Sequence, residues 1–318
     1  MGSEMKTSHR LLCGVAAIGI ASPISPGTPS QVAAAVKASI SIQVIPSDLT
    51  PSLQAVSTQA ANYNAAQIYM KGCDAYNSSS LQAHPAACFS GDLISKRTVI
   101  LYGDSNAGNW APAADLVGRS LGFRLALIAM SGCTAGIMSY PTKNLTGPQI
   151  QRVKNCEEWH SRLPALTKSL HPIAVLFVSA GWVWPTPVGW NAAVAKAFKV
   201  LSLGNPRAKR VVLGTTPDFN YVGGVPPCLA SQPTSVQRCD VTYPTATSFY
   251  AEIQARDRTV ATAVKAGLIP VAQWLCSSRR CSPIIKNFLV YVDDDHFSLT
   301  YGQWLAGVFG AALKKQGI

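Results

Sequence analysis

The sequence predicts an α/β domain in which a parallel sheet is covered by helices on both faces. Three observations lead there. From Arg97 onward, short apolar runs alternate with stretches of helical spacing. One of these runs, Ile173 to Ser179, is almost continuously apolar, as befits a strand buried on both faces. Hydrophobic residues make up 48% of the 318, enough for a sizeable core and against a disordered chain. Strand–helix alternation of this kind implies parallel strands joined by helical crossovers.

The N-terminal segment stands apart. Lys6 and His9-Arg10 precede an apolar stretch, Leu11 to Ala21, followed by Ser22, Pro23 and a Pro/Ser/Gly-rich run to Ser30. This is the layout of a secretory signal, with Met5 an alternative initiator and cleavage expected between Ala21 and Ala35. The apolar run has about half of the ~20 residues needed to span a bilayer. Residues 1–30 are therefore set aside as signal peptide and Pro/Ser-rich stretch. Residues 31–96, rich in Ala, Ser and Gln, form a lead-in arm, and 97–318 the α/β domain.

Within that domain Thr98–Tyr102 predicts a strand stopped by Gly103, and Trp110–Leu121 a helix. Arg124–Met130 predicts the second strand and Gln149–Leu170 a helix closed by His171-Pro172. Ile173–Ser179 is the third strand, Asn191–Leu203 a helix and Arg210–Thr215 the fourth strand. A Pro/Gly/Cys-rich insertion, about Pro217 to Pro244, comes next. Ser248–Ala266 predicts a helix, Ile269–Gln273 a fifth strand, Phe288–Val292 a further one and Thr300–Lys315 the last helix.

Charge and cysteines narrow the function classes. The formal net charge is +12, but charged residues are only 13% and no long Lys/Arg run occurs. A dedicated nucleic-acid binder would cluster its positive charge, so no nucleic-acid partner is implied. Of nine cysteines, Cys13 goes with the signal. The others form four local couples, Cys73–Cys88, Cys133–Cys156, Cys228–Cys239 and Cys276–Cys281, several beside turn residues. An even number behind an export signal reads as disulfides, with other connectivities open at this point. A zinc site would want a CxxC pair or a nearby Cys/His quartet, and neither occurs.

Two places carry chemistry. Gly103-Asp104-Ser105-Asn106 follows the first strand, and active sites of open parallel sheets lie beyond the carboxyl ends of the strands. There the helix that follows offers its N-terminal amides to negative charge. A plain helix cap is the competing explanation. The second place is Asp293-Asp294-Asp295-His296, between the last strand and the last helix. A serine hydroxyl needs a base, and the base an orienting carboxylate. Asp293 and His296, three residues apart on a short loop, supply that pair. Three Asp and a His are also conceivable metal ligands, but consecutive residues rarely all face one ion.

Gly103-Asp104-Ser105 and the Asp293/His296 pair resemble the first and last sequence blocks of the SGNH/GDSL hydrolase superfamily. Cys73…Cys88, Gly91-Asp92, Arg97–Ser105, Ser131-Gly132-Cys133, Cys156-x-x-Trp159 and Tyr291–Ser298 occur in order. Together they are similar to the SGNH domain found C-terminal to bacterial integral-membrane acyltransferases that O-acylate cell-surface glycans. Ile45-Pro46 to Thr50-Pro51 is similar to the linker ahead of that domain. The resemblance implies a three-layer α/β/α sandwich with a parallel, flavodoxin-like sheet. It implies Ser105 as nucleophile, His296 as general base and acid, and Asp293 as its orienter, with the N–H groups of Ser105 and Gly132 as oxyanion hole. Two departures stand out. The family's Gly-x-Asn block reads Ser179-Ala180-Gly181-Trp182, without Asn, and Asn106 stands where the fused domains often have His. Trp182 and Asn106 are candidate substrate contacts, the first through a flat indole suited to a sugar ring.

The expected function is that of an exported carbohydrate O-acyl esterase or O-acyltransferase, secreted, periplasmic or attached to the cell envelope. It would act on acylated carbohydrate or cell-envelope glycans, with a separate membrane acyltransferase as a conceivable partner and no metal or organic cofactor. A catalytically idle glycan-binding domain and a lipid esterase are the alternatives.

Overall fold

The computed structural model describes residues 24–74, 88–140, 142–143, 145–180, 187–242, 249–277 and 280–318. The expected signal segment up to Pro23, and Trp182, lie outside these residues. Ten helices and ten strands follow one another in the described part. Three helices come first: α1 (Pro29–Ser39), α2 (Leu53–Gln59) and α3 (Ala65–Met70). They lead to β1 (Phe89–Gly91), β2 (Thr98–Gly103), α4 (Ser105–Leu121), β3 (Arg124–Ala129), α5 (Gly147–Lys168) and β4 (Pro172–Phe177). Next are α6 (Pro187–Leu201), β5 (Lys209–Leu213), α7 (Val225–Ser231), β6 (Val241–Thr242), α8 (Phe249–Ala263) and β7 (Gly267–Ile269). The chain closes with β8 (Arg280–Cys281), β9 (Ile284–Ile285), β10 (Phe288–Leu289), α9 (Leu299–Trp304) and α10 (Ala306–Lys315).

The main sheet has six strands in the order β1-β3-β2-β4-β5-β7. Five are parallel, and β1 pairs antiparallel at the edge beside β3. Counting the parallel strands alone, the order is second, first, third, fourth, fifth, the flavodoxin-like arrangement. Successive side chains of β2 face opposite layers. Val99 and Leu101 enter a core with α1, α3, α4, α9 and α10, whereas Ile100 and Tyr102 enter a second core with α5, α6 and α8. This is the three-layer sandwich expected.

The residues ahead of Arg97 pack into the same body. Val32, Val36, Val56, Ala65, Ala66 and Met70 belong to the first core, and β1 is a strand of the main sheet. The four disulfides of the described residues are the four local couples: Cys73–Cys88, Cys133–Cys156, Cys228–Cys239 and Cys276–Cys281. No described helix is long and apolar enough to cross a membrane.

Four elements differ from the expectations. α4 starts at Ser105, not Trp110, because the Asp104 carboxylate accepts from Asn106 N–H at 2.9 Å and caps the helix five residues earlier. β7 ends at Ile269, since Pro270 has no N–H to continue a ladder, and Val271–Trp274 is a 3-10 turn. Phe288–Val292 is not a sheet strand. Of this run Phe288–Leu289 forms a strand, paired with β9 in a two-stranded hairpin apart from the main sheet, and Tyr291 makes an isolated bridge with Phe297. The last helix is two helices, divided at Leu305 where Gly27 N–H donates to Trp304 O at 2.7 Å.

Candidate active site

The site is assembled at the carboxyl ends of the central strands. Gly103 ends β2 so close to β4 that a Cβ there would stand 2.4 Å from the carbonyl oxygen of Val178. Only glycine allows that approach. Asp104 follows, 2% exposed, and its second oxygen accepts from Ala180 N–H at 2.7 Å, tying the end of β4 to the start of α4. Burial pushes its carboxyl up to about 6, against the backbone N–H bonds of Ala180 and Asn106. Ser105, half-buried, is the first residue of α4 and stands at the point where the strand order reverses.

His296 comes from a tight loop between β10 and α9. Val292 N–H donates to His296 O at 2.9 Å and Ser298 N–H to Val290 O at 2.9 Å. Inside it, Asp293 Oδ1 accepts from the N–H groups of Asp295 at 3.1 Å and His296 at 2.7 Å. His296 Nδ1 lies 2.9 Å from Asp293 Oδ2 and 2.9 Å from Asp295 Oδ1. With two acceptors facing Nδ1, a proton is held there in either charge state, and Nε2 is the nitrogen that gains or loses the second proton. Burial alone would lower the His296 pKa. The hydrogen bonds and charges of Asp293 and Asp295 outweigh it and lift it to about 10. Asp295 moves the other way: burial would raise it, but its bond to His296 holds it below the ordinary carboxylate range.

Two asparagines join the serine helix to the histidine loop. Asn106 Nδ2 donates to Asp295 Oδ2 at 3.2 Å, and its Oδ1 accepts from Thr216 Oγ1 at 2.8 Å and Asn109 Nδ2 at 3.1 Å. Asn109, fully buried, donates to Asp295 O at 2.9 Å and accepts from Phe297 N–H at 3.0 Å. Ser105 and His296 are thus brought to one end of the sheet by their immediate neighbours. His296 Nε2 is buried and has no hydrogen-bond partner among the described residues, so it is not bonded to the Ser105 hydroxyl here. Such bonds often tighten only with substrate present.

The expectation of Asn106 as a substrate contact is corrected. Its side chain is 2% exposed and both ends of the amide are taken, so it braces the loop instead. Gly132 lies just beyond β3 in the left-handed region (φ 68°), next to the Cys133–Cys156 disulfide. Ala180, at the family's Gly-x-Asn block, spends its N–H on Asp104. Asp295, Asn109, Asn64 and Thr216 are the site residues that sequence patterns did not single out. Only Asp295 had a signal, its place beside His296.

Asp293, Asp295 and His296 bring ligand-type atoms within 4.8 Å of one another. Each is already engaged, by Asn64, Asn106 or the shared imidazole proton, so the cluster is satisfied without a cation. A cavity of about 680 Å³ opens on the outer side of the loop, between α2, α7 and Asp293–Asp294, and touches neither Ser105 nor His296.

The model of the SGNH domain fused to AT3 domains matches residues 72–311. The chain belongs to that family. It is accordingly an SGNH-type esterase or acyltransferase. Among solved structures, the periplasmic domain of a Salmonella ser. Paratyphi A lipopolysaccharide acetyltransferase is similar. It is 14% identical with a TM-score of 0.51, covering 77% of this chain and 99% of that one. A carbohydrate esterase family 2 enzyme with its carbohydrate-binding domain, from Myceliophthora fergusii, is 13% identical (TM-score 0.42; 70% and 66% covered). A lipase/acylhydrolase of Enterococcus faecalis is 12% identical (TM-score 0.35; 69% and 96% covered). No curated protein matches the sequence.

Proposed function

We propose that this SGNH domain is an exported carbohydrate O-acyl esterase or O-acyltransferase, with Ser105 as nucleophile, His296 as general base and Asp293 as its orienter. One observation carries the proposal. The His296 ring is fixed by carboxylates on Nδ1, with Nε2 left without a hydrogen-bond partner among the described residues, in a loop laced by Asn106 and Asn109 to the helix turn that bears Ser105.

In the first step Nε2 takes the Ser105 proton as Oγ attacks the acyl carbonyl. The negative oxygen of the tetrahedral species is met by the N–H groups of Ser105, at the start of α4, and Gly132. The intermediate collapses as imidazolium returns the proton to the departing sugar oxygen, leaving an acyl-serine. Water or a second sugar hydroxyl then attacks, again with Nε2 as base. A carbohydrate substrate, export and a membrane acyltransferase partner are supported by the AT3 association of the family and by the neighbour that is a periplasmic lipopolysaccharide acetyltransferase domain. Four disulfides are in keeping with an oxidising compartment.

The test is labelling with a fluorophosphonate probe, followed by turnover of p-nitrophenyl acetate. Label at Ser105, lost in Ser105→Ala, is expected; a glycan acceptor in the assay then separates transfer from hydrolysis. The missing oxyanion Asn, with Ala180 N–H already bonded to Asp104, favours an idle glycan-binding domain as the second reading. Absence of label in oxidised protein would favour it.

A further inference from the structure

Both halves of the proposed site are gripped by one short stretch of chain, Tyr63 to Asp74, far ahead of them in sequence. At its start Asn64, 1% exposed, has two partners. Its Oδ1 accepts from Gln67 N–H at 3.0 Å and caps α3, while Nδ2 donates to Asp293 Oδ2 at 3.2 Å, the oxygen that faces His296 Nδ1. Backbone bonds lace the same stretch to the loop: Ala65 N–H donates to Phe297 O at 2.9 Å, and Leu299 N–H to Tyr63 O at 2.7 Å.

At the other end stands Asp74, one residue past the disulfide-bonded Cys73. Its two oxygens accept from Ser131 N–H at 2.9 Å and from the Ser131 hydroxyl at 2.5 Å. Ser131 precedes Gly132, and Cys133 on the far side is held to α5 by its disulfide. Between the two ends α3 lies hard against the first turns of α4. A Cβ on Gly108 would stand 2.6 Å from Ala66 Cα and 2.9 Å from Met70 Sδ, so α3 packs closely on the helix that carries Ser105.

We propose that α3 is a positioning strap, with Asn64 and Asp74 as positioning residues that hold the His296 loop and the Gly132 loop in register across Ser105. The proposal rests on the assignment of Ser105, His296 and Gly132 given above. Its physical basis is the steep dependence of rate on placement: an error of about 1 Å can cost about a hundredfold. Asp74 offers one acceptor to each donor of Ser131, and so fixes both the direction and the depth of the residue before Gly132. Asn64 fixes the Asp293 oxygen without adding charge.

The experiment compares Asp74→Ala, Asp74→Asn and Asn64→Ser with the intact protein, all checked for native thermal melts. Asn64→Ser keeps an oxygen to cap α3 but cannot reach Asp293. For Asp74→Ala we expect kcat on p-nitrophenyl acetate and the rate of fluorophosphonate labelling to fall about tenfold or more, with KM and the pH midpoint unchanged. Asp74→Asn, with one acceptor left, should recover part of that loss. For Asn64→Ser, kcat falls and its pH midpoint rises, because Asp293 keeps more of its charge for the imidazolium. Folded Asp74→Ala and Asn64→Ser proteins with unaltered kcat and pH profile would overturn the strap alone, provided labelling depends on Ser105. Labelling that survives Ser105→Ala would overturn the site assignment and the strap with it.

Discussion

Two carboxylates share the Nδ1–H of His296, and this sets the pH at which the proposed base becomes available. With its pKa raised to about 10 by Asp293 and Asp295 against the effect of burial, the imidazole is mostly protonated at neutral pH. The fraction able to accept the Ser105 proton then grows with pH. We expect kcat/KM to climb through pH 7 to 9, above the ordinary imidazole range, with Ser105→Ala as the blank for alkaline hydrolysis. Asp295→Asn removes one charge, so its pH–rate curve should level off at lower pH. A wild-type midpoint near 6.5 would contradict the pairing. Stability follows the same sign. The contribution of a raised His pKa is fully present below pH 6.5 and lost as pH rises toward about 10, which urea unfolding at a series of pH values measures. At this scale the sequence was legible where partners are local. Asp293 and His296 lie three residues apart and could be paired on paper. Asn64, Asn109 and Thr216 could not, because their partners are 229, 186 and 110 residues away.

The β2–α4 junction shows what an element contributes. Parallel strands set the carboxyl ends of β2 and β4 side by side, and Gly103 is the point of closest approach. A methyl group there would meet Val178 O at 2.4 Å, backbone against backbone, with no flexible side chain to move aside. We expect Gly103→Ala to cost about 1–3 kcal/mol, read as a lowered urea midpoint. The rate of Ser105 labelling should fall as well, since the strain is released two residues from the nucleophile. Unchanged stability and labelling would mean that the two strand ends part freely. The strands themselves were visible as apolar runs, and Gly103 as their stop. The split of the last helix was not. It depends on Gly27, whose N–H donates to Trp304 O and whose own carbonyl oxygen would be 2.3 Å from a Cβ on Gly307. No local pattern around residues 300–315 announces a contact with the other end of the chain. The failed strand at Phe288–Val292 has the same origin: an apolar run satisfies a hairpin beside the site as well as a sheet.

On the scale of the whole molecule, strand–helix alternation announced parallel strands but not their neighbours, because the crossover rule leaves the order of strands open. The family resemblance supplied the flavodoxin-like order, and the order explains why a serine after the first parallel strand faces a crevice. The part least legible was the role of residues 24–74. Their Ala/Ser/Gln composition reads as an arm, yet they provide buried side chains to the core that β2 and α4 share. Val32, Val36, Val56 and Met70 are each 3% exposed or less. A buried side chain of this size is worth about 1.5–3 kcal/mol, and whole domains have only about 5–15 kcal/mol to lose. Removing four such residues, with Asn64 and the Cys73–Cys88 bridge, therefore takes away about as much as the whole domain has to lose. We expect residues 24–318 to unfold cooperatively in urea with a sharp near-UV circular dichroism signal. Residues 97–318 expressed alone should be insoluble or lack that signal. A cooperative transition in the shorter chain would mean that the arm only covers a core able to stand without it, and that the site owes its geometry to the sheet and α4 rather than to anything ahead of them.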